Sequence, residues 1–383
     1  MKIDIVGGGP GGLFLAYLVK KRAPEWKVRV LEQNGADATY GWGVVFSDIA
    51  LKFLEEADPA FFRRFTADHV RSDCMEIVHQ GTHVPVDGHS FSRISRIALL
   101  KFLHAECYAA GVELSFNRRV DDVSKLGDAD LVVVSDGVNS HNRGQLSDVF
   151  RPSFVRRRNK FAWYGTAQLI SAVSLIFRET EYGVFIAHGY QYSEEMSTFL
   201  IETDPATWQR AELDRMSDVN SRALCERIFA DDLGGHALLS NKSSWFEAVT
   251  VKNERWHAGN VVLLGDALRS VHFSLGSGTR MAMEDAIALC NGLEAHGSGL
   301  DAVFEHFESK RRPASDRFQL AAAKSLDWYE GVGEKMHLDP IDFTYDYMRR
   351  TGRVTHEDLR LRAPEFIRRY EQRHGDTINQ AIA

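Results

Sequence analysis

At 383 residues, with 44% hydrophobic and 26% charged side chains, the chain has room for two domains and a large buried core, and its composition excludes a disordered or fibrous protein. A net charge of −7 argues against general nucleic-acid binding, and no apolar run approaches the ~18 residues of a membrane span. The four cysteines, Cys74, Cys107, Cys225 and Cys290, lie far apart, and no His, Cys and carboxylate spacing fits a metal; reduced thiols in a cytoplasmic protein without a secretory leader are expected.

Residues 2–6 suit a buried parallel strand, Gly7-x-Gly9-Pro10-Gly11-Gly12 follows at once, and helix-forming composition continues to Arg22. Strand, glycine turn and helix together are the context a G-x-G-x-x-G match requires. Gly7 allows the tight turn, Gly9 lets backbone approach a pyrophosphate, and Gly12 lets the helix sit close to the sheet. The phosphates then meet the N–H groups at the positive end of the helix. A second strand over 27–31 ends in Glu32, placed to accept the ribose hydroxyls of an adenosine dinucleotide, with Gln33 beside it.

Gly41-Trp42-Gly43, followed by Val44, Val45 and Phe46, reads either as an extended segment passing something flat or as a turn with a buried tryptophan. Ser47 caps a helix expected to run to about Phe65. Short strands fill 68–95, and a helix is expected over 94–110 from the spacing of Ile94, Ile97, Leu100, Leu103 and Cys107. Arg93 and Arg96 fall at its start, where a cation opposes the helix dipole, so either an anionic partner or a solvated side chain is expected. The apolar run 130–135 ends in Asp136-Gly137, at the strand end where doubly wound sheets bind ligands.

From 151 to 256, aromatic and β-branched runs separated by turns read as an inserted antiparallel sheet able to floor a substrate cavity. Residues 259–266 form another buried strand ending in Asp266. Gly276-x-Gly278 then opens a second helix N-terminus, a second anion site. The expected fold is therefore α/β: a discontinuous Rossmann-like dinucleotide domain (1–70, 94–150, 257–325), an antiparallel β-sheet substrate domain (71–93, 151–256) and a helical, arginine-rich C-terminal region (326–383).

Three stretches together resemble the class A FAD-dependent aromatic monooxygenases typified by 4-hydroxybenzoate hydroxylase: Gly7-x-Gly9-x-x-Gly12 with Glu32, Asp136-Gly137-x-x-Ser140-x-x-Arg143, and Gly265-Asp266 with Gly276-x-Gly278 and Glu284-Asp285-Ala286. Gly41-Trp-Gly-Val-Val-Phe-Ser-Asp48, His272-Phe-Ser-Leu-Gly-Ser-Gly278 and Glu357-Asp-Leu-Arg-Leu-Arg362 look like the hydroxylases of aryl-coenzyme A thioesters, the salicylyl-CoA 5-hydroxylase group. Asn159-Lys160, Trp163-Tyr-Gly-Thr166 and Met196-Ser-Thr-Phe199 resemble the violacein-pathway tryptophan hydroxylase. Arg269, Phe273 and Arg280 depart from the residues usual in the wider class.

The resemblance implies FAD held by Gly7, Gly9, Pro10, Gly11, Gly12, Glu32, Gln33, Val45, Arg96, Asp136, Asp266, Gly276 and Gly278. It further implies NADH or NADPH as reductant, O₂ as co-substrate, and oxygen transfer from a flavin C4a-hydroperoxide to an electron-rich ring. A closed apolar cavity is needed, and Trp42, Phe46, Phe185, Phe199 and Phe273 are candidate substrate-lining residues. A phenol substrate is helped by a base, for which His188, Tyr190 and His272 are candidates. Arg157 and Arg158, or the C-terminal arginines, are candidate holders of coenzyme A phosphates. The expected substrate is a hydroxy- or aminobenzoyl-CoA; a free indole or tryptophan-like metabolite is the alternative, followed by a flavin reductase or halogenase, although no Trp-x-Trp-x-Ile-Pro stretch is present. A homodimer is compatible with this family.

Overall fold

The computed structural model describes every residue except Tyr40, Lys242, residues 271–274 and Ala383, and only the backbone over 376–382. Val6, Leu31, Val134 and Leu263 end neighbouring parallel strands of a six-stranded sheet, ordered 257–258, 261–263, 131–134, 2–6, 27–31 and 113–115. These strands are short and apolar because helices cover both faces, as parallel sheets require. Leu13, Leu15 and Leu18 from the helix Pro10–Arg22 join Leu289 and Leu293 from the helix Gly278–His296 in the same core.

The inserted sheet runs 238–240, 152–166, 197–203, 183–191, 173–180, 75–79, 82–86, with 246–253 also paired to 152–166. It is antiparallel apart from one parallel pair, Val173–Thr180 beside Met75–His79. A third sheet, which the sequence reading did not separate, places Phe91–Ser95 between Gly43–Ser47 and Val70–Ser72.

Two helix boundaries differ from expectation for local reasons. The helix expected to reach Phe65 is broken at Asp58, whose carboxylate caps a second helix from Pro59; proline has no N–H to continue the first. The helix expected from Ile94 begins at Arg96, because Ser95 accepts from the Ala98 N–H and caps it. Arg93 consequently lies on a strand rather than in a helical turn.

The long helix Leu300–Glu330 joins the two halves: Phe304 and Phe307 sit in the nucleotide-domain core, whereas Trp328 and Tyr329 pack on the inserted sheet with Phe177, Phe343 and Tyr347. Gly88 secures the C-terminal helices. Its φ of +69° and the Arg362 carbonyl, 1.5 Å from where a Cβ would lie, leave no space for a side chain. Asp87 accepts the Glu365 and Phe366 N–H groups at the start of the next helix.

Beneath the third sheet, His69 packs edge-on against Phe65 with its Nδ1 on the Ser92 hydroxyl. Burial pushes its imidazole down to about 4, so it folds neutral, and protonation favours the unfolded chain. This stabilisation is complete above the ordinary histidine value near 6.5 and is lost as pH falls towards 4. In urea titrations the wild type should lose about 2 kcal/mol more than His69→Leu between pH 7 and pH 5; equal losses would rule out the neutral ring.

Candidate functional site

The first strand ends at a turn that a side chain at Gly7 would block, since a Cβ there would lie 2.4 Å from the Ser135 carbonyl and Gly7 has φ +107°. A Cβ at Gly12 would meet the Gly7 carbonyl and the Ser135 hydroxyl, both at 2.5 Å, so the helix sits as near the sheet as a glycine permits. At Gly9 nothing lies within 4 Å of the Cβ position. The helix opens with Pro10, has no acid in its first turn and no side-chain cap, so its positive end faces that open space.

Glu32 ties the second strand to this turn: one carboxylate oxygen accepts the Gly8 N–H at 2.7 Å, the other the backbone and side-chain amides of Asn34. The oxygen that accepts from Gly8 retains a second lone pair for a hydroxyl. Gln33 is exposed beside it. Asp136 adjoins Gly7, and one of its oxygens accepts from Asn142 at 3.0 Å while the other is buried without a hydrogen-bond partner. Ser140 caps the short helix His141–Gln145. The buried Arg143 donates to the Val138 and Ala267 carbonyls, locking the Asp136 loop to the Asp266 turn.

The Ala282 methyl links the two glycine turns, lying 3.0 Å from the Cβ position of Gly11 and 3.2 Å from that of Gly265. Asp266 keeps an accessible side chain close to Arg96. Burial raises its carboxyl pKa, against the attraction of Arg96 and Arg269. Arg96 is also partly accessible within the interior; burial lowers its pKa, and Asp266 and Tyr190 oppose that shift. Gly276, with φ +59°, approaches Val45, whose Cγ1 is 3.7 Å from the glycine's Cβ position; Gly278 starts the following helix near Asp266.

These features suit FAD. An open glycine cradle, an uncapped helix end, an acid at the second strand end and the unpartnered oxygen of Asp136 lie on the same edge of the sheet as Asp266 and Arg96. The departures Arg269 and Arg280 are balanced within the chain. Arg269 forms a two-pronged pair with the buried Asp285, which also accepts from Arg311, and Arg280 pairs with Glu284 at 2.7 Å.

One face of the inserted sheet approaches this end of the path, where Tyr190 lies near Arg96. Strand register places Gly165, Thr198 and Tyr190 on one row, and Trp163, Leu200 and His188 on the next. The Tyr190 hydroxyl donates to the Gly43 carbonyl at 2.9 Å, and burial pushes its pKa up to about 12. The flat neighbours of the Gly-Trp-Gly segment are indoles: Trp42 lies over Gly165 and Trp163 over Gly41, each too close for a Cβ.

Several expected residues lie elsewhere. Phe185 and Phe199 are on the opposite sheet face, packed with Leu224 and Phe229 under the helices. Phe46 is buried in the nucleotide-domain core against Phe65. Phe185 and Phe199 point away from Tyr190 because side chains alternate along a strand. Arg157 is mostly buried and pairs with Asp327 at 2.6 Å and with Glu330, so it docks the long helix, whereas Arg158 reaches Glu330 at 3.5 Å with its side chain largely exposed. His272 and Phe273 lie outside the described residues.

The sequence reading missed Glu202 and Asn159. Glu202 is fully buried in Ser197–Thr203, where it pairs with His188 at 3.0 Å and accepts from Asn159 at 2.7 Å. A carboxylate in a wholly buried strand was the available signal.

A family profile for the FAD binding domain matches residues 1–319. The chain is 36% identical over 381 residues to salicyloyl-CoA 5-hydroxylase of a Streptomyces species, covering 97% of this chain and 73% of that protein. It is 34% identical over 360 residues to protodeoxyviolaceinate monooxygenase of Chromobacterium violaceum, covering 91% and 94%. Its backbone is similar to the crystal structure of a 2-methyl-3-hydroxypyridine-5-carboxylic acid oxygenase mutant, with a TM-score of 0.73 at 20% identity, covering 94% of this chain and 98% of that one.

Proposed function

The chain belongs to the FAD binding domain family and is an FAD-dependent aromatic monooxygenase, and from that premise we propose that it hydroxylates the ring of an aryl-CoA thioester with NADH or NADPH as reductant. The observation that carries the reading is the meeting of Asp266, Arg96 and Tyr190, which brings the end of the cofactor path against one face of the inserted sheet. Likeness to a salicyloyl-CoA hydroxylase supports the thioester. Likeness to protodeoxyviolaceinate monooxygenase favours the second reading, a free indole-type substrate.

Bound FAD would supply the redox chemistry of reduction by a nicotinamide and oxygenation of the ring. The chain's own residues hold and shield that chemistry. The glycine turn and helix end bind the phosphates, Glu32 the ribose, and Asp136, Asp266 and Arg96 the length between them and the ring. Trp42, Val45 and Leu200 exclude water. Tyr190 is kept neutral, with its proton held on a backbone carbonyl. A reduced cytoplasmic setting suits the four free cysteines, and no helix among the described residues is long and apolar enough to cross a membrane.

The test is NADH and NADPH oxidation over a panel of hydroxy- and aminobenzoyl-CoA thioesters, the free acids, and indole and tryptophan, with products weighed by mass spectrometry. Stimulation by a thioester, absent with its free acid and accompanied by one added oxygen, is expected. Stimulation by indole compounds alone would replace the reading with the second.

A further inference from the structure

The C-terminal helices balance several of their cations with acids: Lys335 with Asp346, Arg360 with Glu357 and Glu371, Arg368 with Glu365, and Arg373 with Asp339. Three exposed cations of the same region depart from this pattern. Lys324, Arg353 and Arg362 have no acid within pairing distance among the described residues. Each comes from a different element: Lys324 from the long helix, Arg353 from the loop after the helix Pro340–Arg349, and Arg362 from the end of the helix His356–Arg362.

Arg350 is their common neighbour. It donates to the Ser325 hydroxyl at 3.0 Å, beside Lys324, and its guanidinium lies 3.9 Å from the centre of the Tyr347 ring. The Lys324 ammonium is 3.1 Å from the Cβ position of Gly352, which directly precedes Arg353. Burial first, and then Arg362 and Arg350, hold the His89 imidazole below the ordinary histidine range against the pull of Asp87, so both guanidinium groups are within electrostatic reach of that ring. Asp87 and Asp358, the acids in reach of His89 and Arg362, are occupied as helix caps. Like charges gathered from three elements without an acid repel one another. Folding gives no reason for the arrangement; an anion does.

Resting on the aryl-CoA hydroxylation read above, we propose that Lys324, Arg353 and Arg362, with Arg350 at their centre, bind the 3′-phosphate and diphosphate of the substrate's coenzyme A. Arginine matches phosphate oxygens through its planar fork, and lysine as a point charge. The position suits a ligand whose ring is oxidised elsewhere. Arg350 also lies 5.9 Å from the Tyr329 ring, and Tyr329 packs 5.5 Å from the imidazole of His188, two residues before Tyr190 on one strand. The nucleotide is thus held at the surface, one aromatic layer from the sheet face that meets the cofactor path, and the uncharged pantetheine arm spans the interval. Coenzyme A phosphates fall to these cations and not to Arg157, whose charge is already matched by Asp327 and Glu330.

The experiment compares the FAD-loaded wild type with the double variant Lys324→Glu/Arg362→Glu, and with Arg360→Gln as a control whose cation is already paired. One readout is calorimetric binding of 3′,5′-ADP, the nucleotide end of coenzyme A. The other is KM for a hydroxybenzoyl-CoA beside the same acyl group on N-acetylcysteamine, which carries no phosphate. The double variant should lose 3′,5′-ADP binding and show a KM for the CoA thioester raised about tenfold or more, with kcat and flavin content unchanged. Rising salt should weaken binding to the wild type and alter the double variant little. KM for the N-acetylcysteamine thioester should not move, and Arg360→Gln should behave as wild type. An equal KM rise on both thioesters, an unchanged KM for the CoA thioester, or no binding of 3′,5′-ADP to the wild type would overturn the site. Binding of 3′,5′-ADP that the double variant loses, with no thioester hydroxylated, would uphold the anion site and remove the thioester reading.

Discussion

Gly12→Val is expected to yield folded but colourless protein, with no 450 nm flavin band after purification and none after incubation with FAD. The added Cβ would lie 2.5 Å from both the Gly7 carbonyl and the Ser135 hydroxyl, so the helix must withdraw from the sheet, carrying away the N–H groups that face the phosphates. Gly9→Ala provides the contrast. Its backbone is extended at φ −76° and nothing in the protein lies within 4 Å of the new methyl. The fold should therefore be unaffected, and FAD affinity should fall by about tenfold or more, because the methyl occupies space needed by the pyrophosphate. Normal flavin content in Gly12→Val would mean that the close approach of helix and sheet is not what forms the site.

Asp285→Ala should be the most destabilising single change outside the cofactor path. The carboxylate is fully buried and holds Arg269 through two bonds, one of 2.8 Å, and Arg311 at 2.7 Å. Its removal leaves two mostly buried guanidinium groups facing each other without their acid, with Glu284 still on Arg311. Breaking a buried pair from one side typically costs about 3–5 kcal/mol, which urea denaturation of the FAD-loaded protein would resolve. Arg280→Gln removes a more exposed pair one helical turn away, Arg280 with Glu284, and should cost less than about 1 kcal/mol. Similar losses for the two variants would refute the distinction. The pairing also explains how this chain accommodates a buried arginine at position 269: the cation is balanced by the helix that follows Gly276-x-Gly278.

The nucleotide-binding half was readable because its signals are local. A strand, a glycine turn and a helix succeed one another within 22 residues, and the acid at the end of the next strand is fixed by a short crossover. The inserted sheet was recognisable as strands, but not which way each side chain points. Gly183–Gln191 and Ser197–Thr203 are buried on both faces, so hydrophobic alternation, the usual marker of the inner face, is absent. Phe185 and Phe199 therefore looked as suitable for the cavity as any other aromatic, although the register turns them to the helix-covered side. Phe46 was misread for a related reason: its strand belongs to a small third sheet, and Phe46 faces the nucleotide-domain core there.

The sequence by itself determined the cofactor class, the order of the strand ends that meet it and the insertion of a second sheet, since each depends on residues near one another in the chain. Tertiary structure alone decided which charges were available for chemistry. Arg157 meets its acid 170 residues later, Arg143 joins two loops 124 residues apart, and Glu202 reaches His188 only through strand register. A charge's role depends on its partner, and packing sets that partner at distances over which sequence carries no periodic signal.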